Sequence, residues 1–214
     1  MSDLIIKICG VRDPVIAEQA VKAGANLIGI IFHPGSPRYV DVDHAIAISD
    51  TIIKAGAKPV AVFVNQSFAE MHEICELTNI KTIQLHGTFS RSQHYLFSND
   101  YQRIYVKAAG ENQDDKGMKF LDCDRDMILI DHPDSGCGKS FDWKTFKYNL
   151  PFRWLLAGGL TPSTVASAIH ELLPDGVDVS SGVEVSRGQK DIALIKQFIL
   201  SVREYENENT KNSG

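Results

Sequence analysis

Eight short apolar runs rich in β-branched residues recur along the chain, at Leu4–Cys9, Leu27–Phe32, Pro59–Val64, Thr82–Leu85, Arg103–Ala108, Met127–Asp131, Arg153–Ala157 and Val177–Val179. Segments with helical spacing separate them: Pro14–Ala23, His44–Ala55, Phe68–Leu77 and Ser163–Leu172, with Ile192–Tyr205 closing the series and less regular stretches around Ser90–Ser98 and Asp114–Leu121. Strict alternation of buried strands with helices forces parallel pairing, because each right-handed crossover returns the chain to the same end of the sheet. Eight such units close an α/β fold, a single-domain (β/α)₈ or TIM barrel; an open, doubly wound sheet is the structural competitor. A chain of 214 residues, 43% apolar, can bury one such core, and no linker divides it. We expect the barrel to occupy residues 1–205 and the polar stretch 206–214 to be a disordered tail.

The 22 basic residues are outweighed by 27 acidic ones, for a net charge of −5, and no segment concentrates Lys and Arg as a nucleic-acid surface requires. An anionic ligand must then be held locally, by backbone N–H groups and a few placed side chains. The four cysteines, Cys9, Cys75, Cys123 and Cys137, form no C-x-x-C pair and follow no signal peptide, which predicts a reducing, cytoplasmic setting. No apolar stretch approaches the roughly 20 residues of a membrane span. A monomer and a homodimer are both compatible with the sequence.

In a barrel of this kind the ligand site is built where the strands end and in the loops that follow. The first strand ends in Lys7-Ile8-Cys9-Gly10, the second runs into His33-Pro34-Gly35-Ser36-Pro37-Arg38-Tyr39, the fourth ends in Gln84-Leu85-His86-Gly87 and the sixth in Ile130-Asp131-His132. Cys9 reads either as a small buried hydrophobe or, at a strand terminus, as a reactive thiolate. Asp131 emerges from an apolar strand, where burial would raise its pKa and keep it protonated as a general acid; a hydrogen-bonded structural role is the alternative. Arg38 follows a rigid Pro-x-x-Pro loop that would aim its guanidinium at an aromatic carboxylate, against the common reading of a solvated surface arginine. His86 is equally well a ligand contact or a satisfied strand-end histidine.

The last two strands end instead in small residues: Ala157-Gly158-Gly159-Leu160 and Asp178-Val179-Ser180-Ser181-Gly182-Val183. Gly158 and Gly159 let the main chain approach a ligand, and Ser180, Ser181 and Gly182 offer successive N–H groups and hydroxyls. Two such loops on adjacent strands make a phosphate cradle, although each alone is also a plain tight turn. Gly136-Cys137-Gly138-Lys139-Ser140 mimics the end of a nucleotide-binding P-loop, but position 133, where that pattern needs Gly, is Pro133. His132 and Cys137 lack further ligands at metal spacing, so we expect no metal.

In family order, the stretches Lys7–Gly10, Phe32–Tyr39, Val62–Asn65, Gln84–Gly87, Phe141–Trp143, Leu156–Leu160 and Gly176–Glu184 give the sequence a resemblance to the phosphoribosylanthranilate isomerase family over residues 4–200. The resemblance implies a cofactor-free Amadori rearrangement of N-(5-phosphoribosyl)anthranilate in tryptophan biosynthesis. It places the catalytic pair on Cys9 and Asp131, the carboxylate-binding arginine on Arg38, the phosphate contacts on Gly158-Gly159 and Ser180-Ser181-Gly182, and Asp178 on the site wall. Ser135-Gly136-Cys137-Gly138 departs from the family's Gly-Gly-Thr/Ser-Gly pattern, which puts a hydroxyl contact there in doubt. An isomerase of the histidine pathway, running the same chemistry on a substrate with two phosphates, would want a second Gly-rich cradle after the third strand, where Asn65-Gln66-Ser67 stands. A barrel that only binds phosphorylated ligands would not need Cys9, Asp131 and Arg38 together.

Overall fold

The computed structural model describes residues 3–111, 116–132 and 146–211. Eight strands, β1 (Ile5–Cys9), β2 (Leu27–Ile31), β3 (Lys58–Phe63), β4 (Thr82–Leu85), β5 (Gln102–Ala108), β6 (Met127–Asp131), β7 (Arg153–Leu156) and β8 (Gly176–Val179), pair in parallel in sequence order and close into a barrel. Closure decides against the open sheet: β1 pairs with β2 through Lys7↔Leu27 and with β8 through Lys7↔Asp178. Every strand falls within one residue of its expected limits at each end.

The helices start and stop where local chemistry satisfies their free backbone groups. In α1 (Pro14–Ala23), the Asp13 carboxylate accepts from the amides of Val15 and Ile16, Pro14 fits the first turn, and Gly24 ends the helix with a left-handed φ of 115°. The Asp41 side chain accepts from the His44 amide and so begins α2 (Val42–Lys54) two residues earlier than the apolar spacing suggests. In α3 (Phe68–Thr78), Ser67 and Glu70 form a reciprocal capping box and Asn79 closes the C-terminus. The two irregular connectors become a short helix α4 (Thr88–Ser92) with a 3₁₀ turn at His94–Leu96, and a 3₁₀ turn at Lys116–Phe120. Between β7 and β8 lies α5 (Val165–Leu172); Ser163 precedes it, because Thr161 and Thr164 form a hydrogen-bonded turn first.

Two features depart from the sequence reading. A hairpin of β9 (Glu184–Ser186) and β10 (Gln189–Lys190) follows β8, and the final helix α6 runs Ile192–Lys211, well past Tyr205. The supposed tail is therefore helical through residue 211. Glu206 anchors it, accepting from the Leu4 amide and, at 2.7 Å, from Arg203 Nη1. A polar composition did not reveal these ties to the start of β1. Among the described residues no helix is long and apolar enough to cross a membrane.

The period-two alternation of the strands divides the apolar residues into two cores. Ile6, Ile8, Ile28, Ile30, Phe63, Ile83, Leu85, Ile128, Leu156 and Val177 face the helices in an outer core. Leu27, Val60, Val62, Ile104, Val106, Met127, Leu129, Leu155 and Cys9 fill the inside of the barrel. Lys7, on the same face of β1 as Cys9, is fully buried there.

Candidate active site

At the C-terminal ends of the strands the barrel opens into a cavity of about 370 Å³. Cys9, Arg38, His86, Asp131, Gly158, Gly159, Asp178, Ser180 and Ser181 all line it. Gly182, expected with them, lies behind the lining. It is packed so tightly against the loop after β7 that a Cβ would stand 1.9 Å from the Leu160 carbonyl oxygen.

Cys9 points into the barrel opposite Gly29, where a Cβ would come within 2.7 Å of its sulfur. Two residues earlier on the same face, Lys7 Nζ donates to Asp178 Oδ1 at 2.7 Å, and its ammonium acts electrostatically on the Cys9 thiol. Burial works against the Lys7 ammonium, but Asp178 and Cys9 outweigh it and hold the pKa above the ordinary lysine value. Burial likewise pushes the Cys9 thiol up, and the nearby Lys7 offsets only part of that rise. Lys7 stands out in the sequence as the one charge in an apolar strand, but nothing local to it signals a partner at the end of β8. Closure of the barrel brings the two together.

Asp131, 8% exposed, accepts from the His132 amide through Oδ1 at 2.8 Å, and its Oδ2 lies 3.9 Å from His86 Nε2. Burial lowers the His86 pKa despite the opposing pull of Asp131 and Asp178, so the imidazole is neutral at neutral pH. Beside it, Gln84 lines the cavity at 2% exposure, and its Oε1 finds no hydrogen-bond donor among the described residues. A ligand hydroxyl is the kind of group that satisfies such an acceptor.

Arg38 is not a solvated surface arginine. Only 7% exposed, it donates from Nε and Nη2 to the two carboxylate oxygens of Glu184 at 2.7 and 2.9 Å. Its stem passes over Gly10, whose φ of 75° demands glycine; a Cβ there would also stand only 2.5 Å from Arg38 Cδ. Glu184 also accepts from Lys190 Nζ at 2.7 Å and from the Gly188 amide. Burial raises the Glu184 pKa, but these donors more than reverse the effect and bring it down to about 2. Lys190 in turn reaches the carbonyl and hydroxyl oxygens of Ser180. Sequence reasoning missed Glu184 and Lys190 as part of the site, because the short hairpin that carries them has no apolar alternation to announce it.

In the loop after β7, Gly158 and Gly159 adopt φ of 91° and 66° and turn the chain sharply past Asp131. A Cβ on Gly158 would meet the His132 amide nitrogen at 2.9 Å and Asp131 Oδ1 at 3.2 Å. The amides of Gly158 and Gly159 have no partner among the described residues, and with the Ser180-Ser181 loop they form a concave array of small residues suited to an anion. Cys9, Cys75 and Cys123 are free thiols. No group of three His, Cys, Asp or Glu among the described residues could hold a metal ion. Gly136–Ser140 and the Ser135–Gly138 departure lie outside the described residues.

Residues 6–201 match a family model described as N-(5'phosphoribosyl)anthranilate (PRA) isomerase. A protein of that name from Chlamydia caviae is 42% identical over 199 residues, which cover 92% of this chain and 96% of the relative. A chloroplastic counterpart from Arabidopsis thaliana is 39% identical over 93% of this chain and 74% of its own length. Among solved structures, TrpF from Jonesia denitrificans superposes with a TM-score of 0.80 at 30% identity, covering 95% of this chain and 98% of that one. A phosphoribosyl anthranilate isomerase in complex with reduced 1-(o-carboxyphenylamino)-1-deoxyribulose 5-phosphate superposes with a TM-score of 0.75 at 30% identity, over 94% and 99% of the two chains.

Proposed function

Because this chain belongs to the N-(5'-phosphoribosyl)anthranilate isomerase family of tryptophan biosynthesis, we propose that its cavity carries out the Amadori rearrangement with Asp131 as general acid and Cys9 as general base. The observation that carries the assignment is that both side chains and the two glycine- and serine-rich loops open onto one cavity. In the first step Asp131 delivers a proton to the ribose ring oxygen as the bond from that oxygen to C1 breaks and the nitrogen lone pair forms a C1=N double bond, leaving an iminium conjugated with the aryl ring. Cys9 as thiolate then removes the proton from C2, giving an enolamine. As the C2 hydroxyl loses its proton and C1 gains one, the ketone forms, so substrate and product are isomers and no redox partner is needed. The Lys7 ammonium, and the iminium cation once it forms, favour the thiolate against the burial that holds Cys9 protonated.

The phosphate fits the amides of Gly158 and Gly159 and the Ser180–Gly182 loop, with Gly182 fixing the approach of the two loops. Arg38, locked in orientation by Glu184, keeps its remaining N–H groups for the anthranilate carboxylate. Holding both ends orients the sugar between acid and base, an effect worth several kcal/mol when the geometry is well fixed. His86 and Asp178 act beside the pair, Asp178 through its hold on Lys7. The free thiols accord with a reducing, cytoplasmic compartment.

Loss of the fluorescent N-(5'-phosphoribosyl)anthranilate on addition of the purified protein is the direct test, and a protein that leaves it unconsumed is not this isomerase. Arg38→Ala should weaken binding of the reduced product analogue as well as turnover; an unchanged affinity removes Arg38 from the carboxylate site.

A further inference from the structure

We propose that Arg187, at the turn of the β9–β10 hairpin, is a second carboxylate-binding and specificity-determining residue, closing over the anthranilate carboxylate from the mouth of the cavity while Arg38 holds it from the wall. The inference rests on the isomerase reading and extends it to a residue in the rim.

The turn that carries Arg187 is a built feature. Gly188 takes a φ of 84°, and a Cβ there would stand 2.7 Å from the Pro37 carbonyl oxygen, so the turn is pressed against the loop that delivers Arg38. The Gly188 amide donates to Glu184 Oε2 at 3.1 Å, Ser186 Oγ donates to Gln189 Oε1 at 3.1 Å, and Lys190 fastens the hairpin to Ser180. Arg187 projects from this frame, exposed, and lines the cavity.

Its charge is uncommitted where the other cations are not. Lys7 is paired with Asp178, and Arg38 and Lys190 share Glu184. Arg12, beside the same turn, donates to the Pro37 carbonyl. Arg187 has no hydrogen bond or ion pair among the described residues. A substrate with a phosphate and a carboxylate brings up to three negative charges into a site whose Arg38–Lys190–Glu184 cluster has a surplus of only one positive charge. The tie to the phosphate loop runs through Lys190 on the second strand of the hairpin, whereas the turn itself, where Arg187 sits, abuts Pro37 beside Arg38, so the added cation belongs to the carboxylate.

The test compares binding of reduced 1-(o-carboxyphenylamino)-1-deoxyribulose 5-phosphate with that of its counterpart lacking the ring carboxyl, for the wild-type chain, Arg187→Ala and Arg187→Lys. Arg187→Ala should weaken the carboxylated analogue about fivefold, as for a solvent-exposed ion pair, leave the other analogue's Kd in place and raise KM in the same proportion. Arg187→Lys should recover part of the loss. Equal weakening of both analogues assigns Arg187 to the phosphate or to general steering and overturns the proposal, as does an unchanged Kd for both. Failure of the wild-type chain to bind either analogue would overturn the isomerase reading itself.

Discussion

Two buried thiols mark the difference between the inside of this barrel and the shell around it. Cys75, on α3, is wholly buried among apolar side chains, and burial pushes its pKa to about 12. Cys9 is equally enclosed, but it sits at a strand end with the Lys7 ammonium close enough to pull its pKa down and a cavity in front of it. Around Cys75 the shell is an apolar cluster of side chains from the helices and the outer faces of the strands. The upper interior holds charges in pairs that closure of the barrel makes possible: Lys7 with Asp178 across β1 and β8, and Arg38 with Glu184 from the loop after β2 to the hairpin after β8. Burial alone makes a thiol inert; a placed cation and an open face give it chemistry.

The same substitution at the two thiols breaks that comparison most severely if it is wrong. Cys9→Ser should lower kcat by about 10²–10⁴, the range of a lost general base, and Asp131→Asn should do likewise for the acid, both with product-analogue binding within a few fold of wild type. Cys75→Ser should leave kcat within about twofold. Near-wild-type turnover in Cys9→Ser would return Cys9 to the same class as Cys75.

Lys7→Met tests the cation directly. It strands Asp178 in the interior without its partner, which typically costs about 3–5 kcal/mol in denaturant unfolding. Kinetics give the second readout. A thiol already raised by burial loses the ammonium that favours its thiolate, so the rise of kcat/KM with pH should move to still higher pH than in the wild type. A pH profile that stays in place would show that Lys7 supports the fold without tuning Cys9.

Much of this architecture was legible in the chain, for identifiable reasons. The eight strands stand out because their inner and outer faces are both buried, which makes each run predominantly apolar, and α1 and α3 announce their ends through Asp13, Gly24 and Ser67. Cys9, Asp131 and Arg38 are conspicuous because strand ends and Pro-bounded loops have few positions for polar residues. What the sequence concealed was pairing at a distance. Lys7 with Asp178 spans 171 positions and Arg38 with Glu184 spans 146, and no local period encodes such contacts. The helical course of residues 206–211 was hidden for the same reason, since Glu206 is tied to Leu4 and not to its own neighbours alone.

Acid probes the ion-paired rim through Glu184. The Glu184 carboxylate is depressed from an ordinary 4.5 to about 2, so its contribution to stability is fully present above 4.5 and is lost as the pH falls toward 2. The full difference corresponds to about 3 kcal/mol, and equilibrium unfolding followed from pH 5 down to pH 2 should show it. Glu184→Gln should flatten that part of the curve. A variant whose stability still falls as steeply over this interval would place the acid-sensitive group elsewhere.

The smallest effect belongs to the shell. Replacing the Cys75 sulfur by the Ser hydroxyl puts a strong donor inside the hydrophobic cluster, and an unsatisfied buried hydroxyl costs about 1–3 kcal/mol. Position 75 lies within α3, however, where a serine hydroxyl can bond the carbonyl of Met71 one turn back, so a loss near 1 kcal/mol is expected. Cys75→Ala leaves no polar group and removes only one atom, and it should unfold at a denaturant midpoint closer to wild type. If Cys75→Ala were instead the more damaged of the two, the site would be governed by the volume of the sulfur and not by its polarity. Loss of turnover in either Cys75 variant at a temperature where it remains folded would mean that the shell and the cavity are energetically coupled.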